Sequence, residues 1–267
     1  MRAVPSSSDT IDGEAARSRA RAFFTRHAAH YGASRGHRSG EDLDRLMAFL
    51  DARPGERALD VATGGGHTAF RLARLGADVI GLDLTPAMRQ PFEQTAAELG
   101  LHNVRFQVGD VERLPFCDGS FDIVSSRRAP HHFPDIRAAL REMVRILRPG
   151  GRLGIADMSA PEEEAADRLF NDLEAARDSS HVRAYTPARW RALLREAGLE
   201  VTGFQALTAT LPWAEWLAPV RPDGPESARI EQILEAADPR TASRIVTYLP
   251  DGRLFTKSWV VAVARKP

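Results

Sequence analysis

Between residues 57 and 157, short apolar runs alternate with segments whose apolar residues recur every three or four positions. Runs of the first kind predict strands and those of the second predict amphipathic helices. Strands are expected at Arg57–Ala62, Asp78–Asp83, Val104–Gly109, Phe121–Ser126 and Arg152–Asp157. Helices are expected at Gly66–Leu75, from Thr85–Pro86 to about Leu99, and at 135–147. Thr85–Pro86 reads as an N-cap followed by proline at the first helical position. The 135–147 segment places Ile136, Leu140, Met143, Val144 and Leu147 on one stripe. Pro149-Gly150-Gly151 is expected to end it. Strands that alternate with helices in this way form a parallel sheet covered on both faces.

The flanks read differently. Residues 14–31 predict a helix whose Arg17, Arg19, Arg21 and Arg26 form a solvated face. "GASRGHRSG" at 32–40 is polar, and Leu43, Leu46, Met47 and Leu50 then share one helical side. The C-terminal third predicts helices at 162–177 and from Thr186–Pro187 to Gly198, then an extended Leu199–Leu211. Trp213–Ala237 is helical but broken by "APVRPDGPES". Pro250-Asp251-Gly252 is a turn, and a valine-rich strand follows at Phe255–Ala264. Three parts are expected: a polar lead-in at 1–13, an N-terminal helical cap at 14–50, and a main domain at 51–267. Insertions at about 160–186 and 212–250 are expected to cover the mouth of the sheet, where ligands sit in such folds.

Composition narrows the function classes. Lysine plus arginine equals aspartate plus glutamate, 36 against 36, and the sequence pI is about 7.1. That balance lacks the basic excess of a dedicated nucleic-acid binder. The single cysteine, Cys117, rules out an internal disulfide and a multi-cysteine metal site. No apolar run approaches the ~20 residues of a membrane span, and the opening residues have no apolar core of a signal peptide. A cytoplasmic location without membrane association is the expectation. The closing strand and the two insertions are compatible with a homodimer.

"LDVATGGGHTA", residues 59–69, runs a strand into three glycines and then a helix. Such a turn usually holds a nucleotide-like cofactor, and Gly64-x-Gly66-x-x-Ala69 fits a dinucleotide fingerprint as well. Asp60, four residues before Gly64, discriminates. A carboxylate at the edge of the turn repels a pyrophosphate but stabilises the sulfonium and ammonium of S-adenosylmethionine. The glycines then let the backbone approach the cofactor closely. Asp83 ends the second strand, where it can accept from both ribose hydroxyls, a feature common to both cofactor classes. Asp110 ends the third, where it can accept from an adenine amino group. One acid at a strand end is ordinary; three in register with a glycine turn are far more specific.

Together with "VIGLDLTPAM", "GDVERLPFCDGSFDIVSSR", "HHFPD" and "REMVRILRPGGRL", this stretch resembles class I S-adenosylmethionine-dependent methyltransferases. The nearest subgroup is typified by ubiquinone and menaquinone biosynthesis enzymes (methyltransferase type 11). The resemblance is strong over 57–157 and weaker over 20–50 and 186–200. "RDSSHVRAY" (177–185) and the closing "ARKP" extend it to bacterial relatives. It departs at Ala62, where the family pattern has its first glycine. The resemblance implies a Rossmann-like, seven-stranded, mostly parallel sheet with helices on both faces. It also implies roles: Asp60, Ala62, Gly64 and Gly66 around the methionine part, Asp83 on the ribose, Leu84 and Met88 near the adenine, Asp110 and Val111 at its edge, and Ser126 beside the cofactor. Tyr31 or His37 is expected to close over the cofactor carboxylate.

Methyl transfer from a sulfonium is an in-line displacement, in which positioning supplies much of the rate. A base is needed only when the nucleophile begins protonated. "SSRRAPHHFPD", after the fourth strand, lies where the methyl group emerges, so His131 and His132 are candidate bases. His181 in "ARDSSHVRAY" is a third. Arg127, Arg177 and Arg183 are candidate anchors for an anionic substrate, since arginine forks suit carboxylate or phosphate; pinning of the insertion by Asp178 and Arg183 is the competing role. The histidines and Asp157 lack the close spacing of a metal site, and none is expected. No Asn-Pro-Pro-aromatic or Asp-Pro-Pro-aromatic run follows the fourth strand, which argues against adenine amino methylation in nucleic acid. Trp213, Trp216 and Leu217 are read either as lining an apolar acceptor pocket or as core. The leading expectation is methylation of O, N or C in a small molecule. RNA or protein methylation and non-catalytic cofactor binding are the alternatives, and Asp60 speaks against a nicotinamide dehydrogenase.

Overall fold

The computed structural model describes residues 13–33, 39–218, 220–221 and 224–267, with the side chains of 27–33 left aside. Helices α1 (Gly13–Ala33) and α2 (Glu41–Leu50) precede five strands and the three helices between them. These are β1 (Arg57–Val61), α3 (His67–Arg74), β2 (Asp78–Asp83), α4 (Arg89–Glu98), β3 (Val104–Val108), β4 (Phe121–Arg127), α5 (Ile136–Ile146) and β5 (Leu147–Ser159). Then follow α6 (Glu164–Arg177), α7 (Pro187–Glu196), β6 (Glu200–Pro212), α8 (Trp213–Leu217), α9 (Pro225–Ala236), α10 (Pro239–Ala242), β7 (Val246–Leu249) and β8 (Gly252–Arg265).

One sheet runs β3-β2-β1-β4-β5-β8-β6. β1 to β5 are parallel; β8 is antiparallel to both β5 and β6. The strand order reverses between β1 and β4, which opens a crevice at their carboxyl ends. β7 adds an eighth strand to the seven expected, as the short arm of a hairpin with β8. Its four residues are too few to show a period in the sequence.

Both faces of the sheet are buried, as parallel strands require. Leu59 and Val61 pack with Leu140, Met143 and Trp190 on one face; Ala58 packs with Leu46, Phe70 and Phe92 on the other. α5 forms where the stripe predicts, and Asp135 caps it by accepting from the N–H groups of Arg137 (2.9 Å) and Ala138 (3.0 Å). Three expectations change. The helix after Thr85 begins as a 3-10 turn, Pro86–Met88, and Thr85 makes no side-chain cap. Pro149-Gly150-Gly151 is not a break but part of β5, because Gly150 N–H donates to the Lys266 carbonyl (2.8 Å) and Lys266 N–H to that of Gly151 (2.9 Å). α2 is no cap over the mouth: a Cβ on Gly154 of β5 would lie 2.9 Å from Leu46 and Leu50, so this helix lies flat on the sheet.

The segments 160–186 and 212–250 pack on each other. Leu169, Phe170, Leu173, Trp216, Ile230, Leu234 and Phe255 form a third core beyond the end of β5. Trp213 and Trp216 therefore serve as core, with Trp216 stacked on Phe255 at 4.3 Å. No helix among the described residues is long and apolar enough to cross a membrane.

Candidate active site

A cavity of about 1040 Å³, counting its open mouth, sits at the carboxyl ends of β1, β2 and β4. The first turn makes its floor. Ala62 holds a positive φ of 55° and Gly64 one of 51°, which turn the chain sharply out of β1. A Cβ on Gly64 would meet nothing within 4 Å, so the backbone there faces open space. Gly66 acts differently: a side chain would run into Phe70 and Phe92, so its glycine serves helix-to-sheet packing and it does not line the cavity.

Asp60, Asp83 and Asp110 all reach this cavity. Asp60 is buried and accepts from Thr63 Oγ1 (2.7 Å) and Ser125 Oγ (2.8 Å). Burial pushes its carboxyl up to about 6, against the pull of those two hydroxyls and Arg127. Asp83 accepts from the N–H of Thr85 (2.8 Å) and of Gly64 (2.9 Å) and so staples the glycine turn to β2. Burial raises its carboxyl too, opposed by those backbone donors. Asp110 accepts from Glu112 N–H (2.9 Å). Ala62, Leu84, Met88 and Val111 line the same space. Ser126 does not; its hydroxyl donates to the Val61 carbonyl and ties β4 to β1. The side chain of Tyr31, and all of His37, lie outside the described residues.

The histidines gather behind the far wall, which Phe24, His132 and Phe133 line. Each has a ring nitrogen fixed by a partner. His131 Nδ1 lies 2.6 Å from Asp157 Oδ1, while His131 N–H donates to Asp157 Oδ2 (2.8 Å). His132 Nδ1 donates to the Ser180 carbonyl at 3.0 Å. His181 Nε2 must donate to Asn171 Oδ1 (3.0 Å), because the Asn171 amide nitrogen is spent on Asp167 and Ala184 carbonyls. With Asp157 ionised, all three rings are neutral and keep one bare nitrogen each. The His131 and His132 rings are 3.9 Å apart, and His181 stands 5.7 Å from His131. Burial lowers His131 and His132 to about 4 and His181 to about 3, and raises Asp157 to about 7. Of these three histidines, His132 alone lines the cavity. Among the described residues, no three His, Cys, Asp or Glu side chains are grouped to hold a metal ion.

The three candidate anchors have carboxylate partners of their own. Arg127 lines the cavity, but its guanidinium is bound twice by buried Asp42, at 2.7 and 3.0 Å. Arg177 bonds Glu174 (2.7 Å), and Arg183 pairs with Asp167 on the same insertion. Neither Arg177 nor Arg183 lines the cavity. The insertion instead touches the site through its backbone: the N–H groups of Val182 (2.8 Å) and Arg183 (3.0 Å) donate to the His131 carbonyl. Sequence reasoning missed Ser125, Thr63, Asp42, Arg17 and Phe24. Ser125 stands opposite Asp60 across β1 and β4, a pairing that only the register reveals.

The chain matches the family model described as a methyltransferase domain over residues 59–155. It is 36% identical over 211 residues to the methyltransferase YcgJ of Bacillus subtilis, covering 79% of this chain and 82% of that one. The crystal structure of YcgJ aligns with a TM-score of 0.77 at 31% identity, covering 84% of this chain and 97% of that one. The 27-O-demethylrifamycin SV methyltransferase of Amycolatopsis mediterranei is 31% identical over 230 residues, 84% of this chain and 82% of that one. The demethylmenaquinone methyltransferase of Beutenbergia cavernae is 36% identical over 189 residues, 62% of this chain and 77% of that one.

Proposed function

The chain belongs to the methyltransferase family, and from that premise we propose that it moves a methyl group from S-adenosylmethionine to a hydroxyl of a small-molecule acceptor. One observation carries the reading: Asp60, Asp83 and Asp110 share a single cavity with an open glycine turn, and His132 faces that cavity from the far wall. The residues suit this cofactor. In this reading buried Asp60 would accept from the cofactor ammonium, Asp83 from a ribose, and Asp110 from an adenine edge; their shared lining of one cavity supports it. Bound there, S-adenosylmethionine supplies an electrophilic methyl group on a sulfonium.

The chain's own residues hold and deprotonate the acceptor. A hydroxyl starts protonated, so its attack needs a base within hydrogen-bond reach. His132 keeps Nε2 bare because Nδ1 is committed to the Ser180 carbonyl. Asp178 and Asp157 favour added positive charge on the His132 ring, against its burial and the neighbouring His131 ring. Two relatives are named for small acceptors, a rifamycin and a menaquinone precursor, which supports the same class. α1 and the histidine wall narrow the cavity, which favours a small acceptor over RNA or protein.

The test uses S-adenosylmethionine carrying a labelled methyl group, the purified chain and a cell extract whose products are separated by size. Label in the small-molecule fraction is the expected result, and label in RNA or protein overturns the reading. Once a product is in hand, His132→Gln is expected to lower kcat by about 10²–10⁴-fold while S-adenosylhomocysteine binding stays unchanged. A variant with full kcat would remove the histidine from the mechanism.

A further inference from the structure

α1 presents Arg17, Ala20 and Phe24 to the cavity. Spacings of three and four put them on one stripe of the helix. At one end of the stripe, Phe24 meets the His132 ring edge-on at 5.1 Å. At the other end, Arg17 spans two acids. Its Nη2 hydrogen-bonds Glu112 Oε2, and its Nε lies 2.9 Å from Asp110 Oδ2.

The two contacts are not equivalent. Arg17 Nε is buried with no aligned acceptor, so its approach to Asp110 is an ion pair and not a directed hydrogen bond. Asp110 thus keeps lone pairs for another donor. Glu112 is the firm end. Its second oxygen accepts from Asp135 N–H (2.9 Å), which fixes it to the start of α5. A guanidinium simply blocking Asp110 would sit in line with that carboxylate; here the aligned bond goes to the acid beside it.

We infer that Arg17 is a positioning residue of the cofactor site: by bridging Glu112 and Asp110 it holds α1 across the cavity, retains the bound cofactor, and sets Phe24 against His132. This rests on reading the cavity as an S-adenosylmethionine site. The charge also fits. Arg17 offsets the two adjacent carboxylates where a neutral adenine edge is to be received, while Asp60 at the opposite end is left to a cation.

The experiment titrates S-adenosylhomocysteine into the full chain by calorimetry, for wild type, Arg17→Ala, Arg17→Lys and Glu112→Gln. Arg17→Ala is expected to raise Kd about fivefold, in keeping with a partly buried ion pair. Arg17→Lys should recover part of the loss, and Glu112→Gln should resemble Arg17→Ala. The double variant Arg17→Ala with Glu112→Gln should be no weaker than the weaker single. Hydrogen exchange over residues 13–26 should slow on adding S-adenosylhomocysteine in wild type and not in Arg17→Ala. Unchanged affinity in Arg17→Ala, with wild type binding, overturns the latch and leaves the cofactor reading intact. Tighter binding in Arg17→Ala makes Arg17 a competitor for Asp110 and overturns it as well. Absence of any binding by wild type overturns the cofactor reading, and this inference with it.

Discussion

Asp60 shows how one residue's surroundings set its use. It is 2% exposed, and the burial that raises its carboxyl to about 6 also makes it sensitive to a nearby cation. A bound ammonium favours the ionised form and lowers that value, so binding and proton release are linked. Affinity for S-adenosylhomocysteine is therefore expected to hold above pH 6 and to fall as pH drops through it. Calorimetry between pH 5 and 8 checks this, and a flat profile would detach Asp60 from the cofactor. Ala62 next to it bears a backbone cost. An L-residue at φ 55° is strained by about 1–2 kcal/mol, which is the local consequence of alanine standing where the family pattern has glycine. Gly64 and Gly66 look alike in sequence, yet one opens the cavity and the other admits Phe92.

At the scale of elements, the site is held by connections between helices and strand ends. Asp42, near the start of α2, binds both Arg127, the last residue of β4, and Arg128 just after it. Burial alone would raise its carboxyl, but hydrogen bonds and charge from Arg127, then Arg128, hold it below its ordinary value. Its contribution is present above the unfolded carboxylate value and is lost as pH falls through the lower folded one. Asp42→Asn removes the carboxylate bound to buried Arg127, and about 3 kcal/mol of stability should go. Urea unfolding at neutral pH measures it; a loss below 1 kcal/mol would mean that the pair is dispensable. The same bond explains why Arg127, which the sequence offers as a substrate anchor, has its guanidinium committed within the fold.

Across the whole molecule, the α/β layer carries the candidate cofactor cavity, and the two insertions build a separate core that backs the histidines. Glu174 joins the insertions from inside. It accepts from Trp216 Nε1 (2.9 Å) and from Arg177 (2.7 Å) and is fully buried. Burial would raise its carboxyl, yet Arg177, Lys257 and Trp216 together hold it at about 2. Its folded value lies below the unfolded one, so it stabilises at neutral pH, by about 3 kcal/mol. That contribution is lost as pH falls from about 4.5 toward 2. Glu174→Gln should therefore show a lower Tm at pH 7 and a shallower decline in Tm below pH 5 than wild type. Parallel curves would show that Glu174 does not drive the acid response.

What the sequence determined by itself was local: the order of strands and helices, the glycine turn, and the three acids at strand ends. Those follow from period and turn chemistry over a few residues; the helix after Gly66 lies where such patterns place it, while the one after Asp83 opens with an uncapped 3-10 turn. Tertiary structure decided everything that depends on which strands are neighbours. Ser125 reaches Asp60 only because β1 and β4 pair in that register. Arg17 reaches Asp110 across 93 positions only because α1 crosses the cavity mouth, and Arg127 is taken by Asp42 only because α2 lies on the sheet. A charged side chain in a sequence has no partner until the chain is packed. The same arginine then serves as an anchor or as a structural ion according to which carboxylate the fold brings within about 4 Å.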